Sequence, residues 1–300
     1  MKITVYGNLT VDELHHNGKN VVRPGGSAFY SSLAAAYLGA RLSIVSNIGR
    51  DYPRNVLPLI KKLGIDVSGV KKLDSLTTRF RISYRAESRR LELVHSGEKL
   101  TPGGPTDAFQ AIHLGPVFLE VGHEILRYAR RHSKFLSVDV QGLLRTKGPR
   151  GLVLLERRRI DPFLSKCNLV KATEDEARII APAATMVSTA RRLLHHGPQY
   201  VIITRGRLGS LLVERDGDAL QVPSVPEARI VDRTGAGDIF VGGWLATFLS
   251  VGDAAWAGAV GSALASLSVR SIGASKFRFA RKELFRRAAW TYKNLRLVKG

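Results

Sequence analysis

The stretch DRTGAGDIF, residues 232–240, places a glycine-rich turn between two acidic residues and then continues into an apolar run. Gly235 and Gly237 flank Ala236, so no large side chain covers the backbone N–H groups there. The following residues, IFVGGWLATFLS, have the composition of a buried helix. Free N–H groups and the dipole at a helix N-terminus attract anions. The stretch is therefore compatible with an anion site at the start of a helix.

The second acidic residue of this stretch, Asp238, lies directly after the turn. A carboxylate there could take a proton from an attacking hydroxyl group, while the amides of Gly235, Ala236 and Gly237 hold the charge that develops on a phosphoryl group. A purely structural interpretation fits the spacing equally well. In it, the glycines form a connection and Asp238 is an ordinary acidic residue in the first helical turn.

Length and composition indicate a folded α/β protein. A chain of 300 residues can form one large α/β domain or two small ones, and 44% hydrophobic with 24% charged residues is ordinary for a globular chain. No apolar run approaches the ~20 residues of a membrane span. The start, MKITVYGNLTVDEL, lacks the pattern of a signal peptide, and Cys167 is the single cysteine. These features predict a cytoplasmic protein without a membrane partner.

The net charge of +21 is compatible with binding to a polyanion such as nucleic acid. The basic residues are, however, scattered along the chain, and no single stripe interleaves them with aromatic residues. A basic solvated surface is therefore the favoured interpretation, and a nucleic-acid partner is not expected.

Strand and helix patterns alternate from about residue 110 onward, which predicts a mostly parallel sheet with helices on both faces. Two earlier hairpin patterns do not fit such a sheet. One contains the turn sequence Asn17-Gly18, and the other begins with TTRFRISYR at 77–85, whose apolar and basic residues alternate. We predict a single α/β domain over 1–300, with a small β lid formed by segments of about 13–23 and 76–96.

The stretch DRTGAGD resembles the D-[TS]-T-G-A-G-D signature of the ribokinase-like carbohydrate kinases of the pfkB type. The resemblance extends over nearly the whole chain, through four further segments in the order of that family. They are VYGNLTVDEL (5–14), RPGGSAFYSSLAAAYLGA (23–40), VKATEDEA (170–177) and VIITRGRLGSLL (201–212). The resemblance implies a three-layer ribokinase-like fold and transfer of a phosphoryl group from ATP, with Mg²⁺, to a hydroxyl group.

Roles for individual residues follow from the resemblance. Asp238 would be the catalytic base, and Gly235, Ala236 and Gly237 would form the anion hole. The acceptor's hydroxyl groups would be held by Asp12, Gly25 and Gly26. The donor-side residues are Lys171, Thr204 and Gly206 near the nucleotide, Glu176 near the waters of Mg²⁺, and Asp232 where some members bind a monovalent cation such as K⁺.

Departures from the family pattern concern the acceptor. Tyr30 stands where the second signature usually has asparagine, and Thr10 stands where ribokinases carry asparagine; both differences argue against ribose. Thr173 and Arg233 also depart from the signatures. The G-G-x-A-F segment and HLGPV resemble the inositol kinases of the family. We therefore predict a cyclic polyol or hexose as acceptor, with the Tyr30 ring as an apolar wall and Arg79 of the lid as a further contact.

Two alternatives remain open from the sequence. A nucleoside kinase would need an aromatic surface in the lid to stack a base, and Phe80 or Tyr84 could supply it. A non-catalytic, nucleotide-sensing protein that binds nucleic acid would account for the charge, although the intact Asp238 argues against it. The expected partners are a small sugar or polyol and ATP, and a homodimer is left open.

Overall fold

The computed structural model describes residues 1–16, 19–85, 88–104, 109–273, 277 and 279–299. The predicted turn at Asn17-Gly18 lies outside the described residues. The strands, in chain order, are β1 (Lys2–Tyr6), β2 (Thr10–His16), β3 (Lys19–Gly25), β4 (Arg41–Ile48), β5 (Ile65–Lys72), β6 (Arg79–Arg85), β7 (Ser88–His95), β8 (Phe109–Leu114), β9 (Ser133–Asp139), β10 (Arg145–Lys147), β11 (Val153–Leu155), β12 (Leu169–Thr173), β13 (Tyr200–Thr204), β14 (Ser210–Glu214), β15 (Ala219–Val222) and β16 (Arg296–Leu297). The helices are α1 (Ser27–Tyr37), α2 (Val56–Lys62), α3 (His123–His132), α4 (Gln141–Leu144), α5 (Asp161–Lys166), α6 (Glu174–Ile180), α7 (Met186–His195), α8 (Ala236–Val251), α9 (Ala254–Ser268) and α10 (Arg281–Lys293).

A large mixed sheet forms the centre of the described part of the chain, in the order β16-β15-β14-β13-β12-β9-β8-β1-β4-β5. The strands from β13 to β5 in this order are parallel, and β14, β15 and β16 extend one edge in antiparallel fashion. The inner strands are nearly continuous apolar runs, because both of their faces are covered. The predicted mostly parallel α/β sheet is confirmed.

Two apolar layers cover the opposite faces of this sheet. Alternation along β13 sends Ile202 into the layer that contains α1, α8 and α9, and sends Val201 and Ile203 into the layer that contains α3, α5 and α7. Trp244 of α8 is fully buried in the first layer. Within the described ranges, no helix has both the length and the apolar composition needed to cross a bilayer.

A separate four-stranded sheet, in the order β3-β2-β6-β7, covers one end of the central sheet and is called the lid below. It overlaps the segments 13–23 and 76–96 predicted for a lid. Side chains alternate along β6, so that Phe80 and Ile82 pack with Leu14 and Leu93 on the inner face. Arg79 lies on the outer face.

Candidate active site

A small cavity of about 60 Å³ lies between the inner face of the lid and the carboxyl ends of the central strands. This edge is where ligands of parallel α/β sheets usually bind. Its apolar lining consists of Phe80, Ile82, Leu91 and Val117. Its polar lining includes Thr10, Asp12, Gln141, Arg145 and Asp238, and Asp12 lies beside Phe80 on the inner face of the lid. The lining therefore suits a molecule that carries both hydroxyl groups and C–H surfaces.

Asp12, on lid strand β2, is buried and accepts a hydrogen bond from the hydroxyl of Thr10 at 2.7 Å. Gly25 faces Thr10 across the β2–β3 pair. A Cβ at position 25 would stand 2.1 Å from Asp12 Oδ2, so a larger residue would displace the carboxylate. The Asp12 carboxylate can therefore occupy its place only because residue 25 is a glycine and has no Cβ.

Asp238 lies in the first turn of α8 and faces the same cavity. Gln141 Nε2 donates to Asp238 Oδ1 at 3.0 Å, and Arg145 Nη2 donates to Gln141 Oε1 at 2.8 Å. Burial raises the pKa of Asp238 to about 6; the charge of Asp139 adds to this effect, and the charge of Lys171 opposes it. Asp238 is therefore ionised at neutral pH and has the proton affinity of a general base.

The turn before α8 is the segment predicted to form an anion hole. Gly235 adopts the left-handed conformation, with φ 77°, and the helix begins at Ala236. The N–H groups of the first helical turn have no acceptor inside a helix, so that of Gly237 is available to an anion, whereas that of Ala236 donates to the Arg233 carbonyl at 3.3 Å. The ring of Tyr30 packs beneath the turn, next to Gly235.

A buried charge cluster lies beside the turn. Lys171 Nζ donates to Asp139 Oδ2 at 2.8 Å, and both side chains are almost fully buried. A Cβ at position 237 would lie 3.1 Å from Lys171 Nζ, which places this ammonium group against the predicted anion hole. Its charge can therefore act on a phosphoryl group bound there.

Glu176 borders the same cluster, one turn into α6. Its Oε2 accepts the Thr173 N–H at 2.7 Å, as part of a capping box at the start of the helix. Burial raises the pKa of Glu176, and the charge of Lys171 opposes that effect. Thr173 pairs with Thr204 in the β12–β13 register, so Thr204 and Gly206 lie at the same edge of the sheet.

The described ranges contain no group of three or more His, Cys, Asp or Glu side chains that could hold a metal ion directly. One oxygen of Glu176 is occupied by the helix cap, and Lys171 lies nearby. This donor set fits an Mg²⁺ ion that is held mainly by phosphate and water, with Glu176 binding its waters. It does not fit an ion enclosed by protein carboxylates.

A family model described as the pfkB family of carbohydrate kinases matches residues 1–278. The chain belongs to the pfkB family of carbohydrate kinases. The match covers both the lid and the turn at 235–237. It confirms the resemblance that the motifs predicted.

Two curated relatives of this kinase differ in their acceptors. It is 29% identical over 256 residues to the cytidine kinase of Thermococcus kodakarensis, which covers 83% of this chain and 88% of that protein. It is 30% identical over 287 residues to the inositol 3-kinase of Oryza sativa subsp. japonica. The aligned region covers 91% of this chain and 69% of that protein. One name refers to a nucleoside and the other to a cyclic polyol, so the relatives leave the acceptor of this kinase open.

Solved structures of the ribokinase family share the fold of this kinase. A pyrophosphate-dependent kinase complexed with a pyrophosphate analog and myo-inositol aligns with a TM-score of 0.79 and 20% identity, over 95% of this chain and 99% of that one. A putative ribokinase II from E. coli, in complex with ATP and Mg²⁺, aligns with a TM-score of 0.74 and 19% identity, over 96% and 99%. These likenesses confirm the predicted ribokinase-like fold.

The structure brings most of the predicted acceptor-side residues of the kinase together. Asp12, Gly26, Tyr30, Gly235 and Asp238 all line the one cavity. Of the residues predicted for the donor side, Lys171 lies against Gly237 at the turn of residues 235–237. The functions of these residues stay predictions, now with a shared location.

Arg79 departs from its prediction. Its guanidinium group donates to Glu13 at 3.0 Å and to Asp51 at 2.9 Å, on the outer face of the lid. Because side chains alternate along a strand, Phe80 points into the cavity and Arg79 points away from it. Arg79 therefore does not line the acceptor cavity, contrary to the prediction.

Tyr84 and Asp232 also lie outside the lining of the cavity. The hydroxyl of Tyr84 lies 3.2 Å from Asp232 Oδ1 and 3.2 Å from Thr234 Oγ1. Tyr84 thus joins the lid to the turn before α8. Of the two aromatic residues considered for stacking a base, the structure places Phe80 in the cavity.

Three residues of the site were missed from the sequence, namely Asp139, Gln141 and Arg145. Asp139 ends β9 and Gln141 begins the helix that follows, a position where α/β proteins often place functional side chains. That rule could have found both. Arg145 lies over the Phe80 ring, 5.8 Å from its centroid, and donates to the Val117 carbonyl at 3.0 Å. Nothing local in the sequence indicates these contacts.

Proposed function

We propose that this kinase transfers the γ-phosphoryl group of ATP to a hydroxyl group of a small sugar or cyclic polyol, of the inositol or hexose type. The observation that carries the proposal is the position of Asp12 and Asp238 on one small cavity that also has apolar lining residues. Asp12 can orient the acceptor, because an ionised carboxylate accepts several hydroxyl hydrogen bonds. Asp238 can then remove the proton from the hydroxyl that reacts.

The positions and charges of the residues around the cavity suggest how the phosphoryl group would be transferred. The acceptor oxygen attacks the γ-phosphorus, the bond from that phosphorus to the β-γ bridging oxygen breaks, and Asp238 receives the acceptor's proton. The N–H group of Gly237 and the ammonium group of Lys171 stabilise the charge on the phosphoryl oxygens, and the N–H of Ala236 adds to them when it turns from the Arg233 carbonyl to the phosphate. Mg²⁺ bound with ATP would neutralise further phosphate charge, and Glu176 would hold its waters. Gln141 keeps Asp238 oriented during the transfer.

The lining of the cavity favours a compact ring. The apolar side chains of Phe80, Ile82 and Leu91 and the carboxylates of Asp12 and Asp238 face the same small space. A polyol or hexose ring presents hydroxyl groups around its edge and C–H bonds on its faces, so it can contact both kinds of side chain. At about 60 Å³ the cavity is smaller than such a ring, so the lid must move outward for either acceptor, and further for a nucleoside, which carries a second ring system.

A nucleoside acceptor is the second candidate. The identity to a cytidine kinase and the Phe80 ring in the cavity support it. In that case Phe80 would stack on the base, a contact worth about 1–3 kcal/mol. Asp12 and Asp238 would keep the same roles toward the ribose hydroxyl groups.

The test is a panel of acceptors and donors. Initial rates would be measured for myo-inositol, hexoses, ribose and cytidine, each with ATP or pyrophosphate in the presence of Mg²⁺, and the phosphorylated product would be identified. We expect the highest kcat/KM for a polyol or hexose with ATP. A preference of about tenfold for cytidine would replace the acceptor assignment with the second candidate. Higher rates with pyrophosphate than with ATP would contradict the assignment of ATP as the phosphoryl donor.

A further inference from the structure

Asp232 opens the DRTGAGD motif, and the hydrogen bonds that it accepts come from three separate segments. The first is the lid, which contributes the guanidinium group of Arg23 to Oδ2 and the hydroxyl of Tyr84 to Oδ1 at 3.2 Å. The second is the turn, where Thr234 N–H donates to Oδ1 at 3.0 Å. The third is the loop after α9, where Gly273 N–H donates to Oδ2 at 3.2 Å. Asp232 thus links the lid to the turn that forms the anion hole.

The partner of Asp232 in the lid, Arg23, is itself enclosed. Only 6% of Arg23 is exposed. A Cβ at position 273 would lie 3.2 Å from Arg23 Cδ, and Gly273 has φ 64°, so the backbone of this loop closes over the side chain. The charge of Arg23 also lies close enough to Tyr30 and Asp12 to interact with both. A fixed positive charge therefore stands behind the acceptor cavity and beneath the turn.

The monovalent cation expected at Asp232 does not fit this arrangement. An ionised carboxylate offers about four acceptor positions, and the two oxygens of Asp232 already accept two hydrogen bonds each. A second cation at the same carboxylate would also be repelled by the guanidinium group, in a site shielded from solvent. Burial opposes the ionisation of Asp232, yet Arg23 and Thr234 hold its pKa below the usual range. Its charge is already neutralised.

We propose that the Arg23 guanidinium group replaces a monovalent cation in this kinase, so that its activity needs no K⁺. Arg23 acts here as a positioning residue: it holds Asp232, and through Thr234 it holds the turn whose N–H groups bind the phosphoryl group. Because Arg23 belongs to lid strand β3, the replacement also ties this strand of the lid to the anion hole. The inference rests on the proposed phosphoryl transfer but not on the identity of the acceptor.

The first experiment uses the wild-type chain. Initial rates with the best acceptor of the panel would be compared in chloride salts of K⁺, Na⁺ and tetramethylammonium at equal ionic strength. We expect rates within about twofold of one another. A rise of about tenfold or more in K⁺ over tetramethylammonium would overturn the proposal. Total absence of phosphoryl transfer in all salts would instead contradict the proposed function.

A second readout does not depend on catalysis. Thermal unfolding of the wild-type chain would be followed in the same salts, because a bound cation raises the midpoint as its concentration increases. We expect the midpoint to be the same in K⁺ and tetramethylammonium salts. A saturable increase in K⁺ alone would show a cation site in the native state and overturn the proposal.

The variant Arg23→Ala removes the guanidinium group and opens its place. We expect its rate in tetramethylammonium to fall by about tenfold or more, and added guanidinium or K⁺ to restore part of the loss. Arg287→Ala is the matched control, because Arg287 is another buried arginine, bonded to Glu227 and Glu283. It should lower the unfolding midpoint without any response to cations. A merely structural role for Arg23 predicts the same behaviour for both variants.

The conservative variant Arg23→Lys covers the case in which Arg23→Ala does not fold. Lysine keeps the charge, so we expect it to remain active in tetramethylammonium salt and insensitive to K⁺. If the folded Arg23→Lys variant were strongly activated by K⁺, the proposal that a positive charge at residue 23 replaces the cation would be contradicted.

Discussion

The ring of Tyr30 packs so closely beneath Gly235 that a Cβ at position 235 would stand 2.4 Å from the nearest ring atom. Tyr30 is 2% exposed, and its ring supports the turn that begins α8. The tyrosine that replaces the family's usual asparagine therefore has a structural contact as well as a place in the cavity wall. The conformation of the turn therefore depends on α1, the helix that contains Tyr30.

An alanine at position 235 would lower stability for two reasons: the strain of the left-handed backbone conformation and the clash of its Cβ with the Tyr30 ring. Gly235 and Gly252 have nearly identical dihedral angles, φ 77° and ψ −1° against φ 80° and ψ 0°, but a Cβ at position 252 meets nothing within 4 Å. Gly235→Ala and Gly252→Ala should each lose about 1–2 kcal/mol of stability from the left-handed conformation. Gly235→Ala should lose more, and should also lower kcat by about tenfold or more, because the turn must shift away from Tyr30.

The comparison would be made by chemical denaturation and by steady-state kinetics on both variants. Gly252→Ala serves as the control for backbone strain and should keep its kcat. Equal stability losses with unchanged turnover in both variants would show that the contact with Tyr30 does not shape the anion hole.

Asp238→Asn tests the base. Asparagine keeps the shape and the contact with Gln141 but accepts no proton, so kcat should fall by about 10²–10⁴. ATP binding, measured by calorimetry, should stay within a few fold of the wild-type value, because the carboxylate is not needed to hold the nucleotide. Turnover close to that of the wild type would exclude Asp238 as the general base.

The raised pKa of Asp238 predicts an acid limb in the pH profile. Asp238 can accept a proton only when it is ionised, so kcat/KM should decrease as the pH falls through about 6. The limb belongs to the free enzyme, and it would be measured with the best acceptor at constant ionic strength. A limb near the ordinary aspartate range, or none, would contradict the burial of this carboxyl group.

Two substitutions should move that limb in opposite directions. The charge of Asp139 raises the pKa of Asp238, and the charge of Lys171 lowers it. Asp139→Asn should therefore shift the limb to lower pH, and Lys171→Met should shift it to higher pH. Asp253→Asn, which changes a helix cap at the start of α9, is a control and should leave the limb in place. Shifts of the same sign would contradict direct electrostatic coupling within the cluster.

Neighbouring residues of β6 should behave differently toward the acceptor. Phe80 faces the cavity, so Phe80→Ala should raise the acceptor KM several-fold. Arg79 is paired with Glu13 and Asp51 on the outer face, so Arg79→Ala should leave this KM within about twofold. The measurement is the KM for the best acceptor at saturating ATP. A large increase for Arg79→Ala alone would place the guanidinium group over the acceptor in the working enzyme.

Much of the fold followed from local patterns. Short apolar runs rich in β-branched residues, such as YVIIT in β13, indicated buried strands, and their alternation with helical segments predicted the parallel sheet and its helical layers. The motif at 232–238 predicted the turn and the helix start, because both depend on residues adjacent in the chain. Asp12, Gly26 and Asp238, which were also named from local motifs, line one cavity, and their roles stay predictions.

The contacts that complete the site join residues far apart in the chain. Arg23 and Asp232 are separated by 209 positions in the sequence, and Gln141 and Asp238 by 97. No local sequence pattern can predict contacts between residues so far apart. Arg79 was predicted to contact the acceptor, because alternation along β6 shows that two faces differ but not which one meets the cavity. Packing of the lid against the central sheet decides this, since the apolar face of Phe80 and Ile82 must leave water and the charged face can stay hydrated.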